Sequence, residues 1–312
     1  MPENIIMSLL AIGTVAFDAL ETPFGKVDKI IGGSCTYIAL AASYFTGKVN
    51  ISAVVGDDFP NEEIGMLNKH GVDTEGLQVK EGQKSFFWSG RYHNDMNTRD
   101  TLVTELNVLE DFDPVIPENY QDCKYLMLGN LTPQVQQTVI DRISERPKFI
   151  AMDTMNLWID IARADLDKVL SNVDLLLVND EEARQMTGEY SLPKAAKAIM
   201  DCGPKYLIIK KGEHGALLFG EGKTFYAPAL PLEEVFDPTG AGDTFAGGFM
   251  GYLAKTDDIS FENMKKALIY GSALASFCVE QFGPEKLKAL TQEQIDGRVQ
   301  EFVELTDFGK NL

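Results

Sequence analysis

The sequence predicts an α/β fold: a mostly parallel sheet with helices on both faces, plus a small separate β-sheet. Three observations carry this. After about residue 110, short apolar runs alternate with helical runs, the pattern of a parallel sheet covered by crossover helices. The stretch Asp237-Pro-Thr-Gly-Ala-Gly-Asp243 opens directly into a helical pattern. Two segments, 16–33 and 84–107, alternate more like antiparallel strands than the rest. No internal repeat or low-complexity linker divides the chain, so one domain over residues 1–312 is expected, with the small sheet inserted from those two segments.

Composition supports a packed core and limits the partners. The chain has 312 residues, 45% of them apolar, which is enough for a sizeable interior. A net charge of −19 argues against nucleic acid or an anionic membrane as partner. It also means that a phosphate site here must rely on backbone amides, local cations and metal. Cys35, Cys123, Cys202 and Cys278 are widely spaced and read as reduced, buried thiols of a cytoplasmic protein. The N-terminus lacks a basic region ahead of its apolar run, and no segment reaches the length of a membrane span.

In chain order, Ile5 to Ile12 reads as a first buried strand ending at Gly13, with Asp18 five residues on. Ile30-Ile31-Gly32-Gly33 precedes a helical run from Cys35 to Phe45, for which Ser34 suits the N-cap and Gly47 the residue past the end. Val49 to Val55 is a buried-type strand, and Glu62 to Asn68 a short helix stopped at Gly71. The stretch Ser85-Phe86-Phe87-Trp88-Ser89-Gly90-Arg91-Tyr92 is unusually aromatic. Because a two-stranded ribbon alone is marginal, it is expected to share one joint sheet with segment 16–33. Strand-like runs follow at Tyr125–Leu128, Phe149–Met152, Leu175–Val178, Tyr206–Ile209 and Ala216–Phe219, with a helix at Lys194–Met200 between two of them. Met264 to Val279 is a long apolar helix, followed by Gln281-Phe282-Gly283-Pro284.

The glycine-rich turn carries the chemistry. Asp237 and Pro238 signal a turn, and Gly240 and Gly242 let the backbone bend into the helix. The N–H groups of a first helical turn lack intrahelical partners and sit at the positive dipole end, so they attract an anion. Asp243 brings a negative charge there, which makes sense if it takes a proton from an incoming nucleophile. The residues alone equally fit an ordinary Gly-rich turn with Asp243 on the surface. Glycines 247, 248 and 251 are tolerable if the helix is pressed against its neighbours.

Asp237-Pro-Thr-Gly-Ala-Gly-Asp-Thr-Phe closely resembles the signature of the ribokinase (PfkB) family of carbohydrate and nucleoside kinases. Other landmarks follow in order from near residue 10 to near residue 285. The resemblance implies a ribokinase-like three-layer fold with a β-sheet lid and transfer of the ATP γ-phosphoryl group to an alcohol. It makes Asp243 the base and the amides of Gly240, Ala241, Gly242 and Asp243 the anion hole. Asp18 and the Gly32-Gly33 pair would hold acceptor hydroxyls. Tyr37 replaces the usual Asn and either covers a ring of the acceptor or packs in the core. Arg99 is a candidate for the transferring phosphate or an acceptor hydroxyl.

Asn179 and Glu182 match the family's Asn-x-x-Glu, which orders Mg²⁺ and its waters; Mg²⁺ keeps several waters, so one Asn and one Glu are chemically apt. Asp153 and Asn156 are similar to its Asp-x-Asn but carry one extra residue between them. Lys210, Lys211, Gly212 and Gly215 resemble its nucleotide-contacting Thr-x-Gly-x-x-Gly, with Lys210 in place of Thr. Gly283 borders the adenine, and Asp237 and Thr239 hold a monovalent cation, potassium, in such proteins. Some members pair through the lid, which together with the aromatic strand predicts a homodimer.

Ala16, where sugar kinases of the family often have Asn, favours a nucleoside acceptor over a free sugar. A silent nucleotide or sugar sensor on the same fold is the rival from another class, and it would not need Asp243. Gly222-Lys223-Thr224 resembles a P-loop end, but Leu217 stands where the glycine is required and the site reads as a hairpin turn.

Overall fold

Strands buried on both faces are written as nearly continuous apolar runs; Asn50 and Ser52 are fully buried polar exceptions in one of them. The computed structural model describes residues 8–307 and Gly309. β1 (Leu9–Ile12) lies within the expected first strand, whose residues 5–7 fall outside the described ones. β2 (Ala16–Thr22) and β3 (Gly25–Gly32) follow, then α1 (Ser34–Ser43), β4 (Val49–Gly56), α2 (Asn61–Lys69) and β5 (Val72–Lys80). β6 (Phe87–Tyr92) and β7 (Arg99–Glu105) lead to β8 (Tyr125–Leu128), α3 (Pro133–Arg142), β9 (Phe149–Asp153), α4 (Asn156–Ile161) and α5 (Arg163–Leu170). Next come β10 (Leu175–Asn179), α6 (Asp180–Thr187), α7 (Leu192–Met200), β11 (Tyr206–Lys210), β12 (Ala216–Gly220) and β13 (Lys223–Ala227). The chain closes with α8 (Ala241–Thr256), α9 (Phe261–Cys278), α10 (Glu285–Lys288) and α11 (Gln292–Thr306).

The main sheet runs β13-β12-β11-β10-β9-β8-β1-β4-β5, parallel from β5 to β11, with β12 and β13 antiparallel at one edge. Alternate residues of β1 feed two cores. Leu9 and Ala11 pack with Phe245 and Phe249 of α8 and Leu268 of α9, while Leu10 and Ile12 pack with Val139 of α3 and Ile199 of α7. Helices therefore cover both faces, as the alternation predicts. A Cβ at Gly247 would lie 2.3 Å from the Ile38 carbonyl oxygen, and one at Gly248 would lie 3.0 Å from Gly271 Cα. The glycines let α8 press against α1 and α9. The β12–β13 connection is the expected hairpin.

The second sheet, β3-β2-β6-β7, joins both inserted segments as expected, although β2 and β6 pair in parallel. Its aromatic strand is not left bare: Tyr92 is buried and Phe86, Phe87 and Trp88 are half-buried, while Leu102 and Val103 of β7 are exposed.

Several local expectations change. The N-cap of α1 is Gly33, not Ser34, whose hydroxyl instead accepts the Thr14 N–H at 3.1 Å. That helix ends at Ser43 with Tyr44 as its C-cap, ahead of Gly47. The Phe236 and Asp237 amides both donate to the Val279 carbonyl, tying the loop before α8 to the end of α9. Cys202 is exposed, whereas Cys35, Cys123 and Cys278 are buried free thiols. No helix among the described residues is long and apolar enough to cross a membrane.

Candidate active site

Parallel strands deliver their last residues to one edge of the sheet, the place where ligands of open α/β folds bind. Asp153, Asn179 and Lys210 end the neighbouring strands β9, β10 and β11. The turn before α8 meets them. Gly240 precedes the helix in the left-handed conformation (φ 75°), which a residue with Cβ adopts only under strain. The Ala241 N–H donates to the Pro238 carbonyl at 3.2 Å. The Gly240, Gly242 and Asp243 amides have no backbone acceptor among the described residues. Three amides at a helix start form a cradle for an anion.

Asp243 occupies the first turn of α8 and receives no hydrogen bond among the described residues. Burial, reinforced by Asp153, raises its carboxyl from 3.8 to about 7, against the pull of Lys210 and Arg99. A carboxylate held near neutrality without partners is suited to accept a proton. The Lys210 ammonium lies 2.6 Å from Asp153 Oδ2, and 3.1 Å from where a Cβ on Gly242 would stand. Burial works to lower its pKa, but Asp153, Glu182 and Asp243 together raise it, so the ammonium stays charged.

Asp18 is buried where β2 meets the Gly32-Gly33 turn, which reaches the left-handed region at Gly33 (φ 92°). The Gly33 amide donates to its carboxylate. A Cβ on Gly32 would fall 1.8 Å from Asp18 Oδ2, so glycine is what lets the backbone close over this group. Burial, then the charges of Asp237 and Asp243, raises Asp18 to about 7.

Asn179 and Glu182 form a capping box on α6: Asn179 Oδ1 accepts the Glu182 N–H at 2.7 Å and Glu182 Oε2 accepts the Asn179 N–H at 2.8 Å. Glu182 Oε1 accepts no hydrogen bond among the described residues. Burial and the neighbouring Asp153 raise Glu182 to about 7. A nearby cation would relieve that strain, so this carboxylate fits Mg²⁺ held through water. Asp237, also raised by burial, accepts the Thr239 N–H and the Gly283 N–H, both at 2.9 Å, and so joins the turn to the loop after α9.

The lid closes over this edge. Arg99 pairs with Tyr92 across β6 and β7, hydrogen-bonds its phenol, and sends its charge toward Asp243 and Glu182. Asn97, at the lid tip, lies over Gly212 of the Lys211–Gly215 turn, its Oδ1 2.5 Å from where a Cβ would stand. Gly215 closes that turn, its carbonyl accepting the Lys211 N–H at 2.8 Å. Gly283 sits against Ile30 of β3.

The acceptor-covering reading of Tyr37 is corrected, and the structure places Asn156. Tyr37 is 1% exposed, and its ring lies directly beneath Gly240. A ring this buried has no face for an acceptor; it supports the turn. Asn156 is exposed, its Oδ1 accepting the Leu157 N–H, and it takes no part in the site. Asp153 and Tyr92 are the residues sequence reasoning left without a role. The strand end at Asp153 was the available signal, and Tyr92 offered none beyond its aromatic neighbours.

Residues 10–289 match the family described as pfkB family carbohydrate kinase. The chain is 32% identical over 252 residues to the cytidine kinase of Thermococcus kodakarensis, covering 79% of this chain and 89% of that one. Among solved structures, an E. coli protein described as a candidate ribokinase II superposes with a TM-score of 0.80 at 20% identity, covering 95% of this chain and 99% of that chain. Its complex with ATP and Mg²⁺ gives a TM-score of 0.78. The nucleoside kinase of Methanocaldococcus jannaschii gives 0.76 at 18% identity, covering 94% and 98%. The long family match over the sheet edge, the amide cradle and Asp243 places the chain in the pfkB family of carbohydrate kinases.

Proposed function

We propose that the chain transfers the γ-phosphoryl group of ATP to a primary hydroxyl of a nucleoside. The carrying observation is the unpartnered Asp243 carboxylate, raised to about 7, within an amide cradle that Lys210 borders. Asp18 and the Gly32-Gly33 backbone hold the acceptor's ribose hydroxyls. Asp243 takes the proton of the attacking hydroxyl as its oxygen bonds to the γ-phosphorus and the bond to the β–γ bridging oxygen breaks, releasing ADP. The Gly240, Gly242 and Asp243 amides stabilise charge on the moving group, which is most of what phosphoryl transfer asks of a protein. Asn179 and Glu182 would hold Mg²⁺ through water, where it would neutralise charge on the phosphate oxygens. Lys211, Gly212 and Gly215 line the nucleotide side, and Gly283 the adenine side.

The nucleoside reading draws on Ala16 and on the likeness to a cytidine kinase, now that Tyr37 is beneath the turn. ATP-dependent ADP release with a panel of nucleosides and free sugars tests it. A nucleoside should give the highest kcat/KM; a free sugar ahead by about tenfold, or 1.4 kcal/mol of transition-state binding, overturns it. A monovalent cation behind the turn is supported by the buried Asp237 carboxylate, and turnover in potassium should exceed that in choline. Exposed Leu102 and Val103 on β7 support pairing of two copies through their lids. Light scattering at micromolar concentration reports that mass, and a monomer rejects the pairing.

A further inference from the structure

We propose that Lys210 is the built-in cation of the anion hole: its ammonium binds the transferring phosphoryl group itself, and Asp153 is the positioning residue that holds it there. The inference rests on the kinase reading for its reaction but not for its geometry.

Lys210 ends β11, and its side chain leans past the end of β10 to reach Asp153 at the end of β9. Side-chain exposures of 19% and 7% make this a nearly buried ion pair. Such a pair is weak evidence for stability, because desolvation offsets most of the attraction and an apolar pair packs as well. Its position says more. The ammonium stands at the open start of α8, against Gly242, where any side chain would crowd it at 3.1 Å. A cation at the positive end of a helix is disfavoured unless an anion joins the two. The Gly242 and Asp243 amides, which have no backbone acceptor among the described residues, suit the same anion.

The other basic groups nearby differ in kind. Arg99 comes from the lid and is exposed, so its place depends on closure. Lys211 has no ion-pair partner among the described residues that would fix it. Lys210 is the basic side chain that both the core strands and a buried carboxylate hold in place. It also stands where the family pattern has Thr. In the transfer step, negative charge builds on the γ-phosphoryl oxygens as the bond to the bridging oxygen breaks and the acceptor oxygen bonds to phosphorus. A fixed ammonium there counts most at that moment.

Calorimetry on the full chain, comparing Mg·ADP with Mg·(β,γ-imido-ATP), separates this from a general nucleotide contact. In Lys210→Met, affinity for ADP should stay within about twofold, while affinity for the imido analogue falls about tenfold to a hundredfold, the scale of a lost hydrogen bond to a charged group. Turnover with the best acceptor should drop about 10²–10³-fold with little change in acceptor KM. Asp153→Asn should leave ADP binding unchanged and lower turnover less, because the ammonium remains but is no longer held. Lys210→Thr gives a second uncharged variant should the Met substitution unfold the protein, which a melting curve reports. Equal losses for ADP and the analogue, or no loss of either, overturn the proposal. The binding comparison needs no acceptor. If no nucleoside or sugar is phosphorylated while analogue discrimination still depends on Lys210, the acceptor reading fails and the Lys210 assignment stands.

Discussion

The hydroxyl of Thr239 donates to the phenol of Tyr92 at 3.0 Å, joining the lid to the turn that forms the anion hole. The two residues are 147 positions apart, and both ends are held: Tyr92 is buried and bonded to Arg99, while the Thr239 amide is fixed by Asp237. The lid and the turn that forms the anion hole are therefore joined directly.

Tyr92→Phe keeps the ring and removes the link. Loss of one buried hydrogen bond costs about 1–2 kcal/mol, roughly fivefold to thirtyfold in an equilibrium. Acceptor KM should rise by that factor, with kcat changing less, because closure is weakened while Asp243 and its amides stay in place. Steady-state kinetics check this; a change confined to kcat would show that the phenol acts on the chemistry instead.

Asp243→Asn should leave the fold and ATP binding intact and remove most turnover. Loss of a general base costs on the order of 10²–10⁴-fold. Retention of more than about a tenth of the wild-type rate would assign the proton elsewhere.

The same substitution carries a pH signature. The folded-state value of Asp243, about 7, lies above its ordinary 3.8, so the folded protein binds this proton more tightly than the unfolded chain. Its contribution to stability is full below the ordinary value and is lost as pH rises through about 7. Asp243→Asn should thus melt higher than wild type at about pH 8, with the gain shrinking toward about pH 5. Around this carboxylate, Asp153 works to raise the value, and Lys210 and Arg99 lower it. Paired melting curves across that range measure the difference; a constant offset would deny Asp243 its raised value.

Much of this site was legible in the sequence, for a physical reason. A strand buried on both faces is written as a continuous apolar run, so the ends of β9, β10 and β11, and the polar residues there, could be located without coordinates. The turn from Asp237 to Asp243 announced itself because its glycines sit where a bare backbone is required. Asp153 was visible as a strand-end residue, but its meeting with Lys210 depends on β9 and β11 flanking β10, which is sheet order and leaves no local pattern. Tyr37 stayed between two readings for a similar reason. Its helix α1 is buried on nearly all sides, so periodicity could not say which neighbour the ring faced. The Tyr92–Thr239 link joins the end of a lid strand to a turn far along the chain, and their closeness arises only when the lid folds down.

Gly32→Ala tests the acceptor side. Gly32 lies outside the left-handed region, so its backbone tolerates a methyl group; what does not is the Asp18 carboxylate, whose Oδ2 would stand 1.8 Å from the new Cβ. The flexible end of Asp18 must swing away, losing its place beside the Gly33 amide. If Asp18 anchors acceptor hydroxyls, Gly32→Ala should raise acceptor KM about tenfold or more, the scale of a charged hydrogen bond, while affinity for Mg·(β,γ-imido-ATP) stays within about twofold. Asp18→Asn should reproduce the same split without any backbone change. An unchanged acceptor KM in both variants would leave Asp18 as a buried carboxylate with no part in acceptor binding.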